Sequence, residues 1–226
     1  MLVAALCDVE GNLPALDAVL AELGRIQPDV ILFGGDLYCG AQPVEVIDRA
    51  RSLPNARFIL GNVDRLDDPH VAFQVAQLRP DQRDFVATFP EHVVLDGVRY
   101  SHGSPRSVDE IVTMVTPDDV LREMLDGIEE RVVVIGHSHT QFDRRVGDHR
   151  IVNAGSVGAA WERETGAYWA LIDGDDVELR RTAYDVDAAI QALHADDPQR
   201  EMREGWIRGP HDPRAVAERI EASVER

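Results

Sequence analysis

Val132-Val133-Val134-Ile135-Gly136-His137-Ser138-His139-Thr140 is an apolar run that ends in a glycine-flanked turn carrying two histidines. A short apolar run bounded by a turn signal reads as a buried strand. Histidines two apart on such a turn can aim at one point, and imidazole is a common metal ligand. Taken alone, the pentad suits two solvated histidines equally well. The same construction recurs along the chain. Residues 1–7 lead into Asp8-Val9-Glu10-Gly11-Asn12 and residues 30–33 into Gly34-Gly35-Asp36. Residues 56–60 lead into Gly61-Asn62-Val63-Asp64 and residues 98–101 into His102-Gly103. In open α/β sheets, ligands bind at the carboxyl ends of the strands. The five strand ends therefore bring together seven candidate metal ligands: Asp8, Glu10, Asp36, Asn62, His102, His137 and His139.

The segments between these strand ends set the topology. Asn12 is expected to cap a helix with Pro14 in its first turn, an apolar stripe of Leu16, Val19, Leu20 and Leu23, and Gly24 as its stop. A second helix is expected over residues 43–52. This β-α-β-α-β start implies a parallel sheet with right-handed crossovers. Residues 65–90 read as a polar insertion beside the site. Asp96-Gly97 between residues 91–95 and 98–101 is a type I′ hairpin signal. Thr116-Pro117-Asp118-Asp119 predicts a helix capped by Thr116, with proline at its first position, running to about Gly127. The strands that follow, at 131–135, 142–146, 150–152, 167–172 and 177–184, make the second half richer in hairpins. Two sheets packed face to face with helices outside suit this mixture. From Asp185 the chain reads as helical, ending in an amphipathic helix that starts at Asp212-Pro213 and carries Val216, Ile220 and Val224. Trp206 and Ile207 are expected to pack this tail on the core. The organisation is thus one domain over residues 1–184 and a helical extension over 185–226.

Composition narrows the function classes. The chain has 226 residues with 23 basic against 41 acidic, a net charge of −18, and every basic residue is arginine. A field this negative opposes non-specific nucleic-acid binding and repels polyanions, so any phosphate site needs local positive charge, which bound metal ions would supply. No apolar run approaches a membrane span. The N-terminal apolar stretch lacks a basic start and meets Asp8 too early for a signal peptide. With Cys7 and Cys39 as its only cysteines, the chain has no disulfide framework, and a cytoplasmic location is expected. Both cysteines read as small buried packing residues. Homo-oligomer formation stays open.

In this order, Asp8-Val9-Glu10, Gly35-Asp36, Gly61-Asn62-Val63-Asp64, His102-Gly103, Gly136-His137-Ser138-His139 and Asn153-Ala154-Gly155-Ser156-Val157 resemble the motifs of the calcineurin-like metallophosphoesterase superfamily, in particular its small prokaryotic YfcE-type phosphodiesterases. The likeness spans about residues 1–184. It implies an αββα four-layer sandwich. It further implies two divalent ions, Mn foremost, with Fe, Mg, Zn, Ni or Co as alternatives. Asp8, residue 10, Asp36 and His139 would hold one ion, and Asp36, Asn62, His102 and His137 the other, with Asp36 bridging. By the same resemblance, a metal-bridging hydroxide attacks phosphorus in line, with Asn62 and Asp64 in auxiliary catalytic roles. Two divalent cations can share a hydroxide, lower its pKa and clamp phosphoryl oxygens, so no protein nucleophile is needed. The expected partner is a small phosphoester.

Two positions depart from the family pattern. Glu10 stands where the family has histidine, making the first site richer in anions and favouring harder ions such as Mn²⁺ or Mg²⁺ over Zn²⁺. Val63 stands where many relatives carry the histidine that protonates the leaving group. The expected consequence is poor turnover of esters with basic alkoxide leaving groups, with aryl esters suffering less. Arg65 and Arg106 follow ligand motifs and are candidates to bind the substrate phosphate, Arg106 foremost. His70, His92, His149, His194 and His211 match no motif and read as surface residues, and residues 153–158 read as a structural turn. Other readings remain alongside the diesterase: a phosphomonoesterase, a dinucleoside polyphosphate hydrolase, and a non-catalytic scaffold, as in the retromer subunit that resembles this branch.

Overall fold

Period-two alternation in the Val132–Ile135 strand already specifies two faces that are both buried. In the computed structural model, which describes residues 1–224, Val132 and Val134 point into one apolar cluster and Val133 and Ile135 into another. The first cluster lies between two five-stranded sheets, where these valines meet Val3, Ala5, Val30 and Leu32. The second lies under a helix that contributes Leu121 and Met124.

The first sheet is built from β1 (Leu2–Leu6), β2 (Val30–Gly34), β3 (Ala56–Ile59), β9 (Ala167–Asp173) and β10 (Asp176–Thr182), in the order β10-β9-β1-β2-β3. The second holds β4 (His92–Leu95), β5 (Val98–Ser101), β6 (Val132–Ile135), β7 (Phe142–Val146) and β8 (His149–Asn153), in the order β4-β5-β6-β8-β7. β1, β2 and β3 are parallel, as the early β-α-β-α-β pattern requires. β5, β6 and β8 are parallel in the second sheet. Helices α1 (Leu13–Ile26) and α2 (Pro43–Arg51) cover the outer face of the first sheet through Leu16, Val19, Val46 and Ile47. Helices α3 (Ala72–Val75) and α4 (Pro80–Val86) follow, and α5 (Asp118–Met124) covers the second sheet. The result is the expected αββα sandwich, with the ends of β1, β2, β3, β5 and β6 opening on one edge.

Several local expectations hold and two fail. Asp96 and Gly97 have φ of 51° and 76°, as a type I′ turn demands. Asn12 Oδ1 accepts from the Ala15 amide and caps α1. Gly24 does not stop that helix, however. It runs to Ile26, and Gln27 at φ 55° terminates it by donating to the Leu23 carbonyl. Thr116 does not cap α5 either: its hydroxyl is engaged by Glu221 and the Thr113 amide instead, and Pro117 takes the cap position. A competing carboxylate from the far end of the chain removed the capping group.

That end forms α6 (Val186–Gln191), α7 (Arg200–Arg208) and α8 (Pro213–Ser223). α6 packs on α1 and α7, and the His211 amide donates to the Glu162 carbonyl. Val216 is buried on α8, whereas Val224 follows the helix in extended backbone.

Candidate metal centre

Asp8, Glu10, Asp36, His137 and His139 all have positive φ, between 51° and 67°. Among the described residues, the other non-glycine positions with positive φ are the α1 terminator Gln27 and the hairpin residue Asp96. Left-handed backbone costs on the order of 1–3 kcal/mol at a non-glycine residue, and it persists where surrounding structure imposes it. Here the neighbouring strand ends impose it. The Asp8 amide donates to the Gly35 carbonyl and the Glu10 amide to the Asp36 carbonyl, so the two loops clasp each other. The Asp8 carbonyl accepts from the Ser156 hydroxyl and the Gly158 amide. Residues 153–158 thus act as a brace for the Asp8 loop.

The side chains gather in two groups, Asp36 with His102 and His137, and Asp8 with Glu10 and His139, each with donor atoms within 4.8 Å of one another. His102 Nδ1 is 2.9 Å from the Gly34 carbonyl and His139 Nδ1 is 2.8 Å from that of Ala159. A carbonyl only accepts, so both rings keep a proton on Nδ1 and turn Nε2 inward. His102 Nε2 lies 3.2 Å from Asp36 Oδ2, 3.0 Å from Asn62 Oδ1 and 3.9 Å from Asp8 Oδ1. His139 Nε2 lies 3.4 Å from Asp8 Oδ1 and 3.5 Å from Glu10 Oε1. The His137 amide donates to Asp8 Oδ2, and its ring sits 4.9 Å from that of His102. Gly35 and Gly61 permit this crowding, since a Cβ on either would strike His102 or Asp36.

Electrostatics fit a pair of cations. Burial opposes protonation of His102, but the Asp36 charge outweighs it and lifts the ring to about 10. Burial likewise opposes His139, and Asp8 lifts it to about 9. Burial and the His102 charge push His137 down to about 4. Burial raises Glu10 to about 7 against the pull of His139. Burial would raise Asp36 too, yet His102 holds it below its ordinary value. Imidazoles and carboxylates in this cluster thus favour each other's charged forms against burial. Asp8 Oδ1, fully buried, has no hydrogen-bond partner and lies between the Nε2 atoms of both imidazoles. A bare buried carboxylate oxygen is costly unless a positive group meets it. Oxygen and imidazole donors in this mixture suit borderline divalent metals, so the residues present fit the ions that the sequence implies.

Glu10, Asp36, Asn62, His137 and His139 line a cavity of about 520 Å³, with Asp8 and His102 buried behind them, and its wall also includes Val63, Trp161, Arg203 and Trp206. Trp161 stacks on His139 at 4.5 Å, and Trp206 meets Trp161 edge-on at 5.8 Å.

The structure places three candidates away from this cavity. Arg106 does not reach this cavity. It binds Glu110 through Nε and Nη2 and lines a separate small cleft. Arg65 is likewise taken up, by Asp109. Asp64, 1% exposed, does not face the cavity; its carboxylate accepts from the amides of Gly61, Asp36 and Leu37 and so holds the Asp36 loop. Burial and the Asp36 charge raise it to about 7. Asn62, by contrast, lies on the cavity wall. His70, read as a surface residue, is exposed on the rim. Sequence reading missed Arg203 and Trp161. Neither belongs to a motif, and Trp206 was legible only as an apolar anchor.

Residues 1–176 match the calcineurin-like phosphoesterase superfamily domain. The chain belongs to this superfamily. Among solved structures, it is similar to a metallophosphoesterase from Sphaerobacter thermophilus, at 21% identity over 99% of each chain with a TM-score of 0.72. It is also similar to a hypothetical protein from Pyrococcus horikoshii OT3, at 20% identity over 92% of this chain and 99% of that one, with a TM-score of 0.78. YfcE, a phosphoesterase from E. coli, matches at 19% identity over 80% of this chain and 93% of its own, with a TM-score of 0.53. These likenesses show the shared calcineurin-like fold. No curated protein matches the chain.

Proposed function

We propose that this calcineurin-like chain hydrolyses phosphoesters, phosphodiesters in particular, with two divalent cations. The observation that carries this reading is the pair of adjoining ligand groups beside a cavity that Glu10, Asp36, His137 and His139 line, with the unpartnered Asp8 Oδ1 buried near two inward-facing Nε2 atoms. Asp8, Glu10 and His139 would hold one ion and Asn62, His102 and His137 the other, with Asp36 shared. When bound, the ions supply Lewis acidity and lower the pKa of water. The chain itself fixes both Nε2 atoms through carbonyl contacts, aims Asp36 through Asp64, and shields His139 behind Trp161. Three carboxylates near the first position favour Mn²⁺ or Mg²⁺.

A diester is preferred over a monoester on charge grounds. Among the described residues, Arg203 is the one guanidinium on the cavity wall, and it is already paired. With Glu10, Asp36 and Asp68 also facing the cavity, a monoanion enters more readily than a dianion. Val63 carries no proton to the leaving group, so aryl esters are the better substrates. Two intact ligand groups favour an enzyme over a scaffold. No helix among the described residues is long and apolar enough to cross a membrane, and the free thiols of Cys7 and Cys39 suit a reducing cytoplasm.

The test is hydrolysis of bis(p-nitrophenyl) phosphate by metal-stripped protein with and without Mn²⁺, beside p-nitrophenyl phosphate and the Asp36→Asn variant. The expected result is Mn²⁺-dependent diester cleavage that Asp36→Asn reduces by more than the roughly 100-fold typical of losing an outer-sphere partner. Metal-independent cleavage, or none with any divalent ion, rejects the reading.

A further inference from the structure

Arg203 sits on α7, beyond the family-matched residues 1–176, yet it is only 5% exposed. A guanidinium is rarely buried unless its charge is met. Arg203 Nε lies 3.2 Å from Asp197 Oδ2 and Nη1 lies 3.7 Å from Glu10 Oε2. Nη1 donates to the Cys39 carbonyl and Nη2 to Gln199 Oε1. Asp197 is itself buried and accepts from Gln74 Nε2 at 3.0 Å and the Gln199 amide at 2.8 Å, which fixes the guanidinium from behind. On the other side, Glu10 Oε2 accepts from Cys39 Sγ at 2.8 Å while Oε1 faces His139. A chain of buried polar groups therefore runs from α7 to the one candidate ligand at which this sequence departs from the family pattern.

The physical need for such a chain follows from charge. A glutamate in place of a neutral imidazole adds one negative charge to a site that already holds Asp8 and Asp36. That charge is tolerated without a metal only if a cation faces it. His139 faces Oε1, and Arg203 supplies a second cation facing Oε2, from outside the family-matched residues 1–176.

We propose that Arg203 is a positioning residue of the first metal site, the counter-charge that lets Glu10 stand where the family has histidine, so that docking of α7 is energetically part of the metal centre. This rests on the metal-centre reading above. Because Mn²⁺ and Arg203 are both counter-charges to Glu10, the metal compensates for loss of the arginine.

The experiment is thermal unfolding of native protein, Arg203→Met, Arg203→Lys, Glu10→Gln and Glu10→Gln/Arg203→Met, each metal-stripped and with saturating Mn²⁺, with Mn²⁺ stoichiometry measured by equilibrium dialysis. Methionine keeps an apolar stem and removes the charge. Metal-stripped Arg203→Met is expected to lose roughly 10 °C. That loss shrinks by about half or more with Mn²⁺, and likewise in the Glu10→Gln background, since contacting residues are non-additive. Arg203→Lys recovers part of it. If Arg203→Met does not fold, Glu10→His/Arg203→Met restores the neutral pattern and is expected to be soluble with two Mn²⁺ per chain. Insolubility of that pair too overturns the proposal. An equal loss in all backgrounds, with and without Mn²⁺, also overturns it, making Arg203 a packing residue of the extension. A native chain that binds no Mn²⁺ rejects the metal-centre reading and the metal half of this proposal, while the metal-free Glu10 cycle still decides whether the two residues are coupled.

Discussion

Asp36, His102 and His137 are fixed from within the family domain, whereas Asp8, Glu10 and His139 also lean on the C-terminal extension. In the first group the Gly34 carbonyl orients His102, and three main-chain amides on Asp64 hold the Asp36 loop. In the second, residues 153–158 brace Asp8, but Glu10 faces Arg203 of α7, and Trp206 of the same helix closes over Trp161 and His139. The contacts named for the first group all come from the family-matched residues 1–176. The group that contains Glu10 is completed by a helix outside the family-matched residues 1–176. On the proposal that Arg203 counters Glu10, the charge of that ligand is met from across the fold rather than by its own loop.

Asp64→Asn breaks the self-contained group most directly. Its amide cannot accept from three amides as the carboxylate does. Mn²⁺ affinity at the Asp36 group is expected to fall about 10–100-fold, with a smaller change at the Asp8 group. Isotherms that resolve the two ions check this, and equal losses at both would merge the two groups into one unit.

pH separates metal-free from metal-loaded protein. His102 and His139 are raised in the folded state, so their stabilising contribution is full below an unfolded value near 6.5 and is lost as pH climbs through about 9 to 10. Glu10 and Asp64, raised to about 7, act in the same sense at lower pH, while His137, lowered to about 4, opposes them below 6.5. Above pH 7 the two histidines are joined by the Met1 amine, which Asp96 and Asp173 raise to about 10, and by the Cys7 and Cys39 thiols, which burial pushes up, all acting in the same sense. The metal-free melting temperature is therefore expected to fall between pH 7 and 10, and the Mn²⁺-loaded one to change less, because metal-bound imidazoles stay neutral across that range. Parallel curves would show that the histidines do not meet the metal.

The smallest effect concerns Arg106. It is paired with Glu110 outside the cavity, so Arg106→Ala is expected to change the KM for bis(p-nitrophenyl) phosphate by less than about threefold, the scale of a paired surface charge. A tenfold rise would return Arg106 to the substrate site and weaken the argument that the cavity favours monoanions.

Most of the fold was legible because strand, turn and helix signals are local. Apolar runs ending in Asp8, Asp36, Asn62, His102 and His137 marked the strand ends, and Asp96-Gly97 marked its hairpin through the backbone freedom those residues allow. Where a local signal met a distant competitor, the reading failed. Thr116 is a good capping residue, but Glu221 claimed its hydroxyl. Gly24 is a weak helix stop, and packing of Leu23 and Ile26 carried α1 past it.

The sequence by itself determined which residues could bind metal and in what order the strands present them, because both are written in side-chain type and short-range periodicity. Tertiary structure alone decided that five of those residues adopt left-handed backbone, that Asp64 holds a loop instead of facing the cavity, and that Arg203 stands opposite Glu10 across 193 positions of chain. Such pairings depend on where helices dock, and docking is a sum over many buried contacts that no local pattern records.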